Sequence, residues 1–202
     1  MVKRLPSMKS RLWRYLSPAN APRPDGLLEF HVRAVNSGWV SRALVAHSRV
    51  GDTWRIGPPM GRLHVDPASE REVLMVGGGT GMAPIKALLQ DLTTRPKPPK
   101  TQVFVGGSIW EDLYDFGALR KLSYGNTWLD IIPVVEKDES ASGAERGTLA
   151  DVVTRYGMGS LAWTVMVARS QPRRLCSTTR PSQDAGPRST CAAVRIAPAT
   201  TP

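Results

Sequence analysis

Residues 77–81 read Gly-Gly-Gly-Thr-Gly, so four of five consecutive positions carry no side chain. Just before them, Val73-Leu74-Met75-Val76 is a short, continuous apolar run. That is the pattern of a strand buried on both faces of a parallel sheet. Just after them, Met82, Ile85, Leu88, Leu89 and Leu92 recur at helical spacing. Pro84 falls in the first turn of that helix, where its missing N–H costs little. A strand that turns through bare glycines into a helix lets backbone N–H groups approach an anion at the helix's positive end. The residues therefore read as a nucleotide-phosphate loop. A plain tight turn is the alternative, and the strand before and helix after favour the loop.

The same alternation continues downstream. Gln102–Val105, Trp128–Val135 and Thr164–Val167 read as strands, and Asp115–Leu122 and Thr148–Tyr156 as helices. Alternating strands and helices imply an α/β nucleotide-binding domain with a parallel sheet, here over residues 68–168. Residues 1–67 have a β-rich rhythm instead. Leu28–Val35 alternates apolar and polar as a half-buried strand, with shorter strand candidates at Leu12–Ser17 and Asp52–Ile56. Pro24-Asp25-Gly26 reads as a turn between strands, and Val40–Ala46 as a short helix. Residues 169–202 lose periodicity and are rich in Arg, Ser, Thr, Pro and Ala, so a disordered basic tail is expected there.

Charge excludes one class of partner. The net charge is +10, but half of it sits after residue 168, where six arginines face the single acid Asp184. No aromatic residues interleave with those arginines to stack bases, so nucleic acid is not expected as a partner. No run of about eighteen apolar residues occurs, so no membrane span is expected. The basic start has no apolar segment after it, which argues against a signal peptide. Cys176 and Cys191 fit neither a metal spacing nor a disulfide framework, and a cytoplasmic setting is expected. His31, His47 and His64 share no metal-like spacing, so no metal is expected.

Gly-Gly-Gly-Thr-Gly-Met-Ala-Pro (77–84) resembles the nicotinamide-nucleotide loop of the ferredoxin–NADP reductase superfamily. Further pieces fall in that family's order: Arg14-Tyr15-Leu16-Ser17, Gly38-Trp39-Val40-Ser41, Gly57-Pro58-Pro59-Met60-Gly61, Asp112-Leu113-Tyr114-Asp115 and Pro133-Val134-Val135. The resemblance covers roughly residues 11–167. It is nearest to the reductase modules of flavohemoglobins and bacterial oxygenases.

What the resemblance implies is a partial antiparallel β-barrel flavin domain over residues 1–67, followed by the α/β domain. It implies an FAD-dependent NAD(P)H oxidoreductase that passes electrons to a separate acceptor protein: haem, iron–sulfur or oxygenase component. In the family, an Arg-x-Tyr-Ser strand binds FAD. Arg14 and Ser17 match, Leu16 stands at the stacking tyrosine's position, and Tyr15 is one residue off, on the opposite strand face. The following strand residues His31, Val32 and Arg33 fall among the implied FAD contacts, as do Gly38, Val40 and Ser41 at the start of the short helix. The implied nicotinamide-nucleotide contacts are Gly78, Gly79, Thr80, Gly81 and Met82, with Gly107 and Ser108 near the adenosine side. Ser17, reaching the flavin's reactive nitrogen, and Thr80, beside the nicotinamide, are the implied catalytic positions. Bland roles stand beside these. Arg14 and Ser17 read equally as ordinary strand residues, Ser41 as a helix cap, Thr80 as a loop-stabilising hydroxyl. Asp112–Tyr114 reads equally as a helix start with Leu113 and Tyr114 packed inward.

The family pattern breaks at both ends. Only about ten residues precede Arg14 where the family has several strands, and the patterned sequence stops abruptly after Val167. A chain truncated at both ends, or frame-shifted late, is therefore expected. The competing reading is a degenerate, non-catalytic fragment that retains only nucleotide binding.

Overall fold

A computed structural model describes residues 13–35, 38–156, 163–169 and 191–196. Its larger part is a five-stranded parallel sheet, built from β2 (Glu72–Gly78), β3 (Thr101–Gly107), β4 (Leu129–Val135), β5 (Glu145–Arg146) and β6 (Trp163–Arg169), in the order β5-β4-β3-β2-β6. The helices α2 (Met82–Thr93), α3 (Phe116–Tyr124) and α4 (Leu149–Arg155) connect the strands. Alternate residues of the central strands feed two separate cores, as the pleat requires. Val73, Met75, Val103 and Val105 pack with Ile85, Leu89, Leu92 and Leu119 of α2 and α3. Leu74, Phe104, Ile132 and Val134 pack with Val152 of α4 on the other face. A sheet covered on both faces explains why these strands read as unbroken apolar runs.

Helix α2 follows from its spacing. Met82, Ile85, Leu89 and Leu92 form one buried stripe, and each such side chain contributes about 1.5–3 kcal/mol on leaving water. Thr148 caps α4, its side chain accepting a hydrogen bond from the Asp151 N–H. The expected elements of residues 68–168 are all present, with ends shifted by a residue or two: Asp115–Leu122 is observed as Phe116–Tyr124, and Thr148–Tyr156 as Leu149–Arg155.

The smaller half contains β1 (Leu28–Arg33), α1 (Trp39–His47) and β7 (Cys191–Ile196). Strands β1 and β7 pair antiparallel, with Leu28 opposite Ile196 and Arg33 opposite Cys191. This corrects the expectation of a disordered tail over these six residues. An open strand edge with unpaired N–H and C=O groups is a template for another strand, and β7 fills it for β1. The rest of 170–202 lies outside the described residues, as do Leu12 and residues before it. Residues 13–17 and 52–56 do not form the expected strands. Pro18 instead makes an isolated bridge to Phe30, and proline cannot extend a ladder through its nitrogen. The apolar cluster here is small: Phe30, Val32 and Leu44, flanked by Leu16, Leu28, Val40, Val45 and Trp54.

Strand β1 is buried on both faces, not on one as its alternation suggested. Phe30 and Val32 face the small cluster, while Glu29 and His31 are also buried, at 8% and 7% exposure. Their side is turned toward the larger half.

Candidate functional site

The topology singles out one place on the larger half. From β2 the chain steps outward through β3, β4 and β5, then returns to the other side of β2 as β6. Ligands of open parallel sheets bind outside the carboxyl ends of the strands at such a reversal. The glycine loop sits there. Gly77 and Gly78 are the last residues of β2, opposite Ala168 and Arg169 of β6. Gly79-Thr80-Gly81 forms a single 3-10 turn that runs straight into α2.

Two of these glycines sit where a side chain is disfavoured. Gly79 has φ 55°, in the left-handed region that L side chains avoid. A Cβ on Gly78 would stand 3.2 Å from the Gly106 carbonyl oxygen, where the ends of β2 and β3 approach closely. The Met82 N–H is taken internally by Gly79 and Thr80 carbonyls, and its side chain is 3% exposed in the core. Met82 thus supports the loop from below. Half-buried Gly79 and Thr80 form the rim above the positive end of a twelve-residue helix. The loop's shape and the helix dipole suit an anion such as a nucleotide pyrophosphate.

At the end of β3, Gly107 is half-buried and Ser108 exposed. The Asp112 carboxylate accepts hydrogen bonds from the Ser108 N–H at 3.1 Å and the Ile109 N–H at 3.4 Å. Leu113 is buried. Asp112 thus closes the loop after β3, ahead of the α3 N-cap Asp115, and Leu113 packs inward. The Tyr114 hydroxyl instead reaches across to the smaller half.

There, Arg14, Tyr15 and Ser17 are exposed while Leu16 turns into the small core. Leu16 therefore packs against Phe30, Val32 and Leu44, while the aromatic side chains of this segment, Trp13 and Tyr15, are exposed, Tyr15 at 80%. Arg14 Nη1 donates to the Trp13 carbonyl at 2.8 Å. At α1, Gly38 is the N-cap and Val40 packs on the cluster. The Ser41 hydroxyl donates to the Gly38 carbonyl at 3.2 Å and accepts from the Val35 N–H at 3.3 Å, so it ties its own helix start together. Arg14 and Tyr15 are both exposed to solvent.

His31, Val32 and Arg33 do not sit together at one surface. Val32 is in the small core. His31 is engaged by both ring nitrogens, Nδ1 lying 2.8 Å from the Tyr114 hydroxyl and Nε2 3.0 Å from Glu29 Oε1. Arg33 Nη2 is 3.7 Å from Asp112 Oδ1. The side chains of His31 and Arg33 point to the larger half. Sequence reasoning missed the group they join. Lys86 of α2 places its Nζ 3.0 Å from Glu29 Oε1 and 3.1 Å from Asp115 Oδ2. Asp115 Oδ2 is buried and has no hydrogen bond apart from this ion pair. Burial works to lower the Lys86 pKa, but the Glu29 and Asp115 carboxylates outweigh it and hold the pKa above the ordinary lysine value. One signal was visible: Lys86 interrupts an apolar helix face between Ile85 and Leu89.

Comparison with known proteins agrees with this division. The model of the oxidoreductase FAD-binding domain matches residues 1–65, and that of the oxidoreductase NAD-binding domain residues 75–168. The electron transfer component of the xylene/toluene monooxygenase of Pseudomonas putida is 33% identical over 142 residues, which cover 68% of this chain and 40% of that relative. The ferredoxin–NAD(P)+ reductase component of the naphthalene 1,2-dioxygenase system of the same species is 26% identical, covering 77% of this chain and 48% of the relative. The chain spans about half the length, or less, of these curated relatives. Among solved structures, the cytochrome b5 reductase domain of Ulva prolifera nitrate reductase has the same fold, with a TM-score of 0.71 at 17% identity, covering 85% of this chain and 73% of that one. The Amycolatopsis cytochrome P450 reductase superposes with a TM-score of 0.64 at 22% identity over 82% of this chain and 50% of that one.

Proposed function

The chain belongs to the ferredoxin–NADP reductase superfamily, and from that premise we propose that it is an NAD(P)H-dependent flavin oxidoreductase that hands electrons to a separate acceptor protein. When bound, the two cofactors would supply the chemistry, the reduced nicotinamide as hydride donor and the oxidised flavin as hydride acceptor. What the chain supplies is binding and alignment. Gly78, Gly79 and Gly81 bring the backbone close to the nucleotide, and the α2 N-terminus favours its negative charge. Thr80, at the loop's rim, orients the nicotinamide amide. Arg14 pairs with the flavin nucleotide's pyrophosphate, Tyr15 covers the ring in place of Leu16, and Ser17 lies on the same outer side. The α1 N-terminus at Gly38–Ser41 faces the same pyrophosphate. Gly107 and Ser108 form the adenosine side of the nicotinamide nucleotide. No acid or base is needed, because hydride transfer depends on distance and angle.

The observation that carries this reading is the glycine loop, with Gly79 at φ 55°, placed at the sheet's reversal point beside a matched FAD-binding segment. The names of the relatives include electron transfer and reductase components of oxygenase systems, which supports an oxygenase or ferredoxin component as the acceptor. Among the described residues no helix is long and apolar enough to cross a membrane. We place the protein in the cytoplasm, where cysteines outside any disulfide pattern stay reduced. The test is reconstitution: purified chain incubated with FAD and desalted retains the yellow flavin spectrum if the reading holds. A colourless protein that still binds NAD(P)H would instead support a fragment limited to nucleotide binding.

A further inference from the structure

Glu29, His31 and Arg33 alternate along β1, so they share one face of that strand. Each is tied to the larger half: Glu29 to Lys86, His31 to Tyr114, and Arg33 to Asp112. Lys86 is the centre of this seam. Its side chain is 15% exposed, and its ammonium lies between Glu29 and Asp115, at 3.0 and 3.1 Å. It stands one helical turn after Met82, so whatever holds Lys86 also holds the start of α2 and the glycine loop. On the other side, β1 leads within a few residues to the N-terminus of α1. The seam thus links the two elements that would carry the two cofactors.

Stability is a poor explanation for such a cluster. Desolvating charges often offsets what their pairing returns, and replacing all members of such a cluster together by apolar groups is frequently neutral or stabilising. Charged groups of fixed geometry do specify one register between packed elements, where apolar surfaces tolerate sliding.

We propose that Lys86 is a positioning residue for hydride transfer: by bridging Glu29 and Asp115 it holds the helix behind the nicotinamide loop in a single register against the flavin-side strand. The proposal rests on the reductase reading. Hydride transfer requires reacting atoms about 3–3.5 Å apart, and a misplacement of about 1 Å costs about 100-fold in rate.

The test uses the full chain carrying Lys86→Met or Lys86→Arg. After loading with FAD, bleaching of the flavin at saturating NADH is expected to slow by about 10- to 100-fold in Lys86→Met. Its KM for NADH should stay within about twofold, because a uniform binding contact is not what was removed, while its melting temperature should fall, because Glu29 and Asp115 are left buried without their cation. Lys86→Arg, which keeps the charge, should recover most of the rate. A second readout needs no cofactor. Spin labels on Ala46→Cys of α1 and Lys121→Cys of α3, in a chain with Cys176 and Cys191 changed to serine, should give one narrow distance that broadens on adding Lys86→Met. A bleaching rate within twofold of the parent overturns the proposal, whether or not the distance broadens. An unchanged distance distribution overturns it as well. If the parent chain itself never reduces FAD, the reductase reading fails, and the label distances alone decide whether Lys86 anchors the two halves.

Discussion

In the larger half, the central strands β2, β3 and β4 of the five-stranded sheet are covered on both faces, and Met75, Ile85, Leu89, Val103, Val152 and Phe104 are at or near zero exposure. In the smaller half, Phe30, Val32 and Leu44 form a single small cluster against one two-stranded sheet, while Trp13, Tyr15, Trp39 and Met60 stand exposed. The larger half has enough buried apolar surface to fold around itself. The smaller half depends on what it leans against: β7 along its strand edge and the charged seam on the opposite face of β1. Nucleotide binding and fold stability should therefore belong to one half, and hydride transfer to the contact between them.

Damage to each half should separate these properties. The largest effect is expected from Phe104→Ala, which empties a position 1% exposed and removes the edge contact with Tyr156. It should cost about 3–5 kcal/mol of stability in urea unfolding, and lower nucleotide and flavin binding together. Leu44→Ala should cost about 2 kcal/mol, with FAD retention lost while NAD(P)H binding, read by calorimetry, persists. Equal loss of both ligands would mean that the halves fold as one unit. Gly79→Ala should reverse that pattern. It forces an L side chain into the left-handed region at about 1–2 kcal/mol, so NAD(P)H affinity falls about tenfold and bound FAD is unaffected.

The smallest expected effect concerns pH. The Lys86 pKa is raised in the folded chain. Its stabilising share is therefore fully present below the ordinary lysine pKa and is lost as pH rises through the raised value. Melting curves of the parent and Lys86→Met should keep a constant offset up to about pH 10, and the parent should lose ground above it. An offset that changes between about pH 6 and 8 would assign the titration to another group.

The larger half was legible in the sequence because its signals are local. Val73–Val76, the glycines and the Met82–Leu92 stripe stand next to one another, and each needs only its neighbours to be interpreted. The seam was not legible. Glu29 meets Lys86 57 residues later, and His31 meets Tyr114 83 residues later. Along β1 the polar residues looked like a solvent face, because alternation shows which residues share a side but not what that side meets. The pairing of β1 with Cys191–Ile196 was hidden for the same reason, since partner strands distant in sequence leave no periodic trace. At the flavin side, the departure at Leu16 was visible, but only the fold shows that it faces the small core and leaves Tyr15 outside.

The central claim is that the two halves form one hydride-transfer pair. It is tested most directly by mixing the FAD-loaded chain with NADH without oxygen and following the flavin absorbance, then repeating with NADH deuterated at the transferred position. Bleaching by one equivalent of nucleotide, slowed several-fold by deuterium, is the result expected. A chain that binds both FAD and NADH yet leaves the flavin oxidised would contradict the account.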